Sequence, residues 1–141
     1  MVTLQQKRAA HALGKVQTIE NPGHYVSYVS ALPAQILMNG LGQALAMLLA
    51  TAGRSKGDSK LDPHYLLCSH VTDWLATCGH IQLGNEIEPV AVMQKLMGSD
   101  ESVYLQAKAE SLAYLEWLKK FARAVIPEAP ESSGEKTEQV V

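Results

Sequence analysis

The chain has 141 residues and a mass of 15.3 kDa, with 12 Lys plus Arg against 14 Asp plus Glu and a formal net charge of −2. This length fits one compact domain and leaves no room for two. Apolar residues make up 47% of the chain and charged residues 18%, which supplies a core and excludes bulk disorder and a collagen-like composition. A pI near 6.2 argues against a globally basic nucleic-acid binder.

Two features of the sequence predict a soluble protein of the cytoplasm. The longest apolar run, Ala44 to Ala50, is far shorter than the roughly 20 residues of a membrane-spanning helix. The N-terminal residues carry charges where a signal peptide would have its apolar region. Cys68 and Cys78 are too few for a disulfide framework, and their spacing is not that of a zinc knuckle. We therefore expect reduced thiols and no membrane contact.

Apolar residues recur at three- and four-residue steps along most of the chain, which predicts an all-α fold of about six helices. Pro33 either kinks the second helix or opens a new one. Asn39-Gly40 is expected to end that helix as a C-cap in the left-handed conformation. Asp62 and Asp100 are expected to begin later helices. The predicted helices span residues 4–19, 24–32 with a continuation past Pro33, 41–52, 62–78, 88–98 and 100–126.

The last residues, 127–141, differ in composition from the rest. They contain four glutamates, one lysine and two prolines, for a net charge of −3, and almost no large apolar residue. This composition predicts a disordered acidic tail. The predicted helical domain, residues 1–126, then has 11 basic and 10 acidic residues, a net charge of +1.

The sequence contains no established pattern of a catalytic, metal or cofactor site. His64 and Cys68 lie one helical turn apart, but no HExxH or paired CxxC supplies further ligands. The residues GRSKG at 53–57 have the GxSxG spacing, but they lie in a predicted polar loop without the preceding strand of a nucleophile elbow, and there is no GxxxxGKS loop. We therefore predict a protein that is not an enzyme and needs no metal or cofactor, with a small metal-dependent enzyme as the remaining alternative.

Cations on one side of the first helix are the most informative feature. Lys7, Arg8, His11 and Lys15 lie opposite the apolar face, and no acidic residue of this helix lies among them. The two lysines and the arginine give a charge of +3. Such a surface is either an ordinary solvated helix face or a contact for a polyanion.

A second group of cations lies near the end of the last helix. Lys119, Lys120 and Arg123 could widen the first group. Glu116, however, stands three and four residues before the two lysines, where it can pair with both. An ordinary ion-paired helix face is therefore the favoured interpretation here.

Two leucines and two tryptophans complete the set of candidate contact residues. Leu105 and Leu112 stand one heptad apart on the polar side of the last helix, which suggests burial by a neighbouring helix or by another subunit. Trp74 and Trp117 each precede a leucine of a helix core, so we expect both to pack in the core.

Three motifs in order resemble a known family. They are QKRA at residues 6–9, YVSALPAQILMNGLGQALA at residues 28–46 and LAYLEWLKKFA at residues 112–122. Together they are similar to the small helical subunit of type III-B CRISPR effector complexes, the Cmr or RAMP-module family, over about residues 5–126. The NGLGQ part of the second motif has a structural explanation, because glycine suits a helix break and a close helix approach.

The resemblance implies a compact, non-catalytic α-helical subunit of a prokaryotic cytoplasmic complex in antiviral defence. Such subunits stack with copies of themselves beside the backbone RAMP subunits of the crRNA-guided complex, and they help to line the channel that receives target RNA. Lys7 and Arg8 fall inside a matching motif. Lys15 and the group Lys119, Lys120 and Arg123 are assigned as RNA-binding from periodicity alone.

The sequence therefore leads to one favoured hypothesis and one alternative. The first is a structural and RNA-binding subunit that contacts phosphates without reading bases. The second is a helical adaptor that contacts only protein, through Leu105 and Leu112.

Overall fold

The computed structural model describes residues 1–55 and 57–127. Over these ranges the fold is all-α, as predicted, with six α-helices and no strand. The elements are α1 (Leu4–Gln17), α2 (Tyr25–Asn39), α3 (Leu41–Ala52), a short 3-10 helix (Ser59–Leu61), α4 (Pro63–Thr77), α5 (Pro89–Met97) and α6 (Glu101–Val125). The expected acidic tail lies outside the described residues from Glu128 onward.

Side-chain caps begin three of the α-helices. At α1, the Thr3 hydroxyl accepts from the Gln6 backbone N–H at 3.1 Å, and the Gln6 side chain accepts from the Thr3 N–H at 2.7 Å. Asp62 caps α4, which has proline at its first position. Asp100 accepts from the Val103 N–H at 3.0 Å at the start of α6. The two aspartate starts confirm the sequence prediction.

Pro33 lies within α2, and it does not open a new helix. The helix continues to Asn39, and the core-facing residues Leu32 and Ile36 on either side of the proline are fully buried. Proline removes one backbone donor from the helix ladder. The burial of this apolar face across Pro33 holds the helix together, since packing against the core supplies most of a helix's stability.

A tight junction joins α2 to α3. Gly40 has a φ of +88° and donates its N–H to the Ile36 carbonyl at 2.8 Å, so the predicted glycine C-cap is confirmed, although its ψ of 158° is extended rather than left-handed helical. The Tyr104 hydroxyl of α6 accepts from the Gly42 N–H at 2.9 Å. A Cβ on Gly42 would lie 2.6 Å from the Met97 terminal methyl carbon, so this glycine permits a close approach of α3 to α5.

The core joins all six helices in one hydrophobic cluster. The long helix α6 packs against α1, α2, α4 and α5, while α3 covers α2 and α4. Tyr25 and Tyr114 are the largest fully buried side chains. No helix in the described part of the chain is both long and apolar enough to cross a bilayer.

Candidate nucleic-acid surface on helices α1 and α6

Helices α1 and α6 lie side by side. Near the start of α1, Gln5 Oε1 accepts from Trp117 Nε1 at 2.8 Å, whereas Arg8, one turn later, reaches back to Glu110 on α6. A shallow groove of about 310 Å³, called here the α1/α6 groove, opens between the helices. Its lining residues are Gln5, Arg8, Ala113, Glu116, Trp117 and Lys120.

A buried carboxylate lies at one end of this contact. Glu110 is only 3% exposed and receives Arg8 Nε at 2.5 Å, Arg8 Nη2 at 2.8 Å, Trp74 Nε1 at 2.9 Å and His80 Nε2 at 2.9 Å. Burial alone would raise the pKa of Glu110, but these hydrogen bonds hold it below its usual value. We call these four residues the Glu110 cluster. It ties α1 and α6 to α4 and to the turn that follows α4.

A second polar cluster lies one turn further along α1. His11 Nε2 and Lys15 Nζ approach Asp73 Oδ2 at 2.7 and 3.4 Å, and His11 Nδ1 lies 2.7 Å from the Tyr114 hydroxyl. Burial lowers the pKa of His11, although Asp73 opposes the shift. The neutral ring donates to Asp73 and accepts from Tyr114. This order resembles a catalytic relay, but the Tyr114 hydroxyl is fully buried and burial raises its pKa, so the cluster has a structural role.

The predicted α1 cations divide into two groups. Lys7 is exposed, and no described carboxylate lies within 4.0 Å of its ammonium. Arg8 and Lys15 instead reach Glu110 and Asp73. The carboxylates come from α6 and α4, so the helical pattern of α1 gave no sign of them. A partial signal existed for Glu110, because it follows Ala107 by three residues and so lies on the core side of α6.

The predicted α6 cations are arranged around one acid. Lys119 and Lys120 approach Glu116 at 3.9 and 3.4 Å, as the spacing predicts. Arg123 is exposed and donates to the Ser30 hydroxyl at 3.2 Å, without a carboxylate partner in residues 1–55 and 57–127. Lys120 lines the α1/α6 groove together with Arg8, so the two predicted cation groups meet across this groove.

The two leucines of α6 differ in exposure. Leu112 packs against the core cluster, which provides the neighbouring helix that the sequence suggested. Leu105 is 52% exposed, and no part of the described chain covers it. Trp74 is buried, as predicted, whereas Trp117 is only partly buried and lies on the wall of the groove.

The histidines and cysteines have other structural partners. His64 donates to Asp62 at 2.7 Å and stacks on Tyr28 at 3.8 Å between ring centroids. His70 is buried against the Tyr25 hydroxyl, and burial lowers its pKa to about 3. Burial raises the pKa of the Cys68 thiol to about 12. Throughout the described ranges, no three His, Cys, Asp or Glu side chains are grouped so that they could hold a metal ion.

The fold and this surface define a small all-helical protein with exposed cations and exposed apolar side chains. The family model of the CRISPR-associated protein Cas_Cmr5 matches residues 4–125. The chain therefore belongs to the Cmr5 family, whose members are structural subunits of the type III-B CRISPR effector complex. This confirms the family predicted from the three motifs.

A solved structure supports the same assignment. The X-ray crystal structure of a CRISPR-associated Cmr5 family protein from Thermus thermophilus is similar to this chain, with a TM-score of 0.65 and 28% sequence identity. The similarity covers 90% of this chain and 100% of that chain.

Proposed function

We propose that this protein is a non-catalytic, RNA-binding structural subunit of a cytoplasmic type III-B effector complex. It helps to line the channel for target RNA and contacts the RNA through phosphates. Its protein partners are the backbone RAMP subunits and further copies of itself. The helical domain, residues 1–126, carries these contacts.

The observation that carries the proposal is the set of outward cations on α1 and α6. Lys7, Lys120 and Arg123 are exposed, and among described residues neither Lys7 nor Arg123 has a carboxylate within 4.0 Å. Exposed cations release counterions from a nucleic acid when they neutralise its phosphates. Lys7 and Arg123 therefore contribute most to the electrostatic attraction.

The other four predicted cations contribute less to it. Glu110 offsets the charge of Arg8, and Asp73 offsets that of Lys15. Glu116 lies 3.9 Å from Lys119 and 3.4 Å from Lys120, and it offsets part of the charge of both. A phosphate would gain little from approaching such ion pairs, since the nearby carboxylate repels it.

Charge reversal in the assembled complex tests the proposal. We expect Lys7→Glu/Arg123→Glu to weaken binding of target RNA about tenfold or more at low salt, because two attractive charges become repulsive. The matched control is Lys60→Glu/Lys95→Glu, which reverses two exposed lysines on other elements. Assembly is checked for both variants by size-exclusion chromatography. Equal RNA affinity in the two variants would contradict the proposal.

One observation favours the alternative function, a protein adaptor without RNA contact. Leu105 is exposed on a charged helix face, and Leu37, Met38 and Val90 are also exposed elsewhere on the molecule. Apolar surface of this kind is typical of subunit contacts. The adaptor predicts that Leu105→Asp abolishes docking into the complex while Lys7→Glu/Arg123→Glu leaves RNA binding intact. The RNA-binding proposal predicts a loss of affinity for the charge variant.

A further inference from the structure

The two tryptophans have different environments. Trp74 is only 4% exposed and donates to Glu110 inside the Glu110 cluster. Trp117 is partly exposed on the wall of the α1/α6 groove. Its indole N–H is occupied by Gln5, and its ring stacks on Phe121 with centroids 5.8 Å apart and planes inclined by 26°. The indole is therefore held in one orientation while part of its surface faces the groove.

The groove walls contain hydrogen-bonding groups of both kinds. Arg8 and Lys120 are donors, and Glu116 is an acceptor. Gln5 uses its carbonyl oxygen for Trp117, which leaves its amide N–H groups as donors. The charge of Arg8 is offset by Glu110 and that of Lys120 by Glu116. The groove is thus close to neutral and suits a phosphate poorly.

These features together match a nucleobase. A base is planar and uncharged, and it carries donors and acceptors along its edge. Aromatic side chains stack on unpaired bases regardless of sequence, because every base has a π-face. The groove volume of about 310 Å³ lies at the lower end of the range for small-ligand sites.

We propose that the α1/α6 groove binds one unpaired base of the RNA strand, stacked on Trp117 with its edge towards Glu116 and Gln5. This inference rests on the proposed function. Arg123 follows Lys120 by three residues on α6, which places it about one helical turn from the groove wall. The strand's phosphates contact Arg123 while one base enters the groove.

The test compares intact RNA with RNA that carries abasic nucleotides, using the assembled complex. Trp117→Leu keeps an apolar side chain against the core but removes the aromatic face. We expect this variant to bind intact RNA about tenfold more weakly than the wild type, and to bind abasic RNA as the wild type does. Trp117→Phe restores most of the loss. The dependence of affinity on salt stays unchanged, because no charge is altered.

Fluorescence of the full chain gives a second measurement. Oligouridylate is expected to quench the emission of Trp117, and this quenching disappears in Trp117→Phe, where only the buried Trp74 emits. Thermal melts of each variant establish that it is folded. If Trp117→Leu does not fold, the inference is tested by comparing the quenching of the wild type with that of Trp117→Phe.

Several results would overturn this inference. They are equal loss of affinity for intact and abasic RNA, no loss for either, or no quenching of Trp117 by the oligonucleotide. Protection of Trp117 from acrylamide on assembly without RNA would show that a protein covers the groove, which also overturns it. A failure of the proposed function would be recognised by a different result, namely unchanged RNA affinity in Lys7→Glu/Arg123→Glu.

Discussion

Removing the Glu110 carboxylate should destabilise the whole helical domain. In Glu110→Ala, the Arg8 guanidinium, the Trp74 indole N–H and the His80 ring all lose their shared acceptor. The carboxylate is 3% exposed and the Arg8 side chain 16% exposed, so water replaces these bonds only in part. The substitution also loosens the contact between α1, α4 and α6.

The size of the effect follows from this burial. Breaking a buried ion pair by removing one partner typically costs about 3–5 kcal/mol. The remaining exposure of Arg8 places the cost near the lower end, at about 3 kcal/mol. For a domain of this size that corresponds to a fall in Tm of about 10 °C.

The assay is urea unfolding and thermal melting of wild type, Glu110→Ala, Arg8→Met and the double variant. We expect each single change to be costly, because each leaves one buried or partly buried charge without its partner. The double variant should be more stable than the sum of the single effects predicts, by about 2 kcal/mol. A Glu110→Ala variant within about 0.5 kcal/mol of wild type, or strictly additive effects, would refute this explanation of the cluster.

The remaining predictions concern pH, backbone conformation and one hydrogen bond. Because burial lowers the pKa of His70 to about 3 from 6.5, only the unfolded chain takes up this proton between those values, and stability falls as the pH falls. From about pH 7 to about pH 5 the free energy of unfolding should fall by about 2 kcal/mol. In His70→Phe, urea unfolding should show a weaker dependence of this free energy on pH. A dependence as steep as that of the wild type would exclude this histidine as the cause. Gly40→Ala forces alanine to a φ of +88° and should lower the free energy of unfolding by about 2 kcal/mol. Gly14→Ala, at an open position of α1, should leave the stability unchanged or raise it. Thermal melts of both variants check this, and equal effects would contradict it. Tyr104→Phe removes the acceptor of the Gly42 N–H and should lower the free energy of unfolding by about 1 kcal/mol in urea, while an unchanged value would show that water replaces the hydroxyl.

The predicted helix ends depend on local chemistry and were therefore accessible from the sequence. Asp62 followed by proline, and Asp100 before the last helix, begin helices through side-chain bonds that span only two or three residues. Gly40 ends a helix through its own φ. Pro33 was harder to interpret, because its effect depends on how strongly the core holds both halves of α2.

The candidate surface was accessible only in part. The cations of α1 were found from the helical period, but Arg8 and its partner Glu110 are 102 residues apart in the chain. A pattern within one helix cannot show which acid another helix will bring to it. Trp117 illustrates the same limit, because its helix position suggested a core residue while the packing of α1 against α6 leaves it on a groove wall.

The Arg8 ion pair also changes how RNA contact should be tested. A charge reversal at Arg8 would place two carboxylates together in a buried site and destabilise the fold. Loss of RNA binding in such a variant would say nothing about phosphates. Variants of Lys7, Lys120 and Arg123 avoid this problem, because these side chains are exposed.

The most direct test of phosphate contact is the salt dependence of target-RNA affinity in the assembled complex. Each lost contact to a single strand should reduce the slope of log K against log salt concentration by about 0.7, so Lys7→Gln/Arg123→Gln should reduce it by about 1.4. The control Lys60→Gln/Lys95→Gln should keep the wild-type slope. A Lys7→Gln/Arg123→Gln variant with the wild-type slope would contradict RNA binding by these helices.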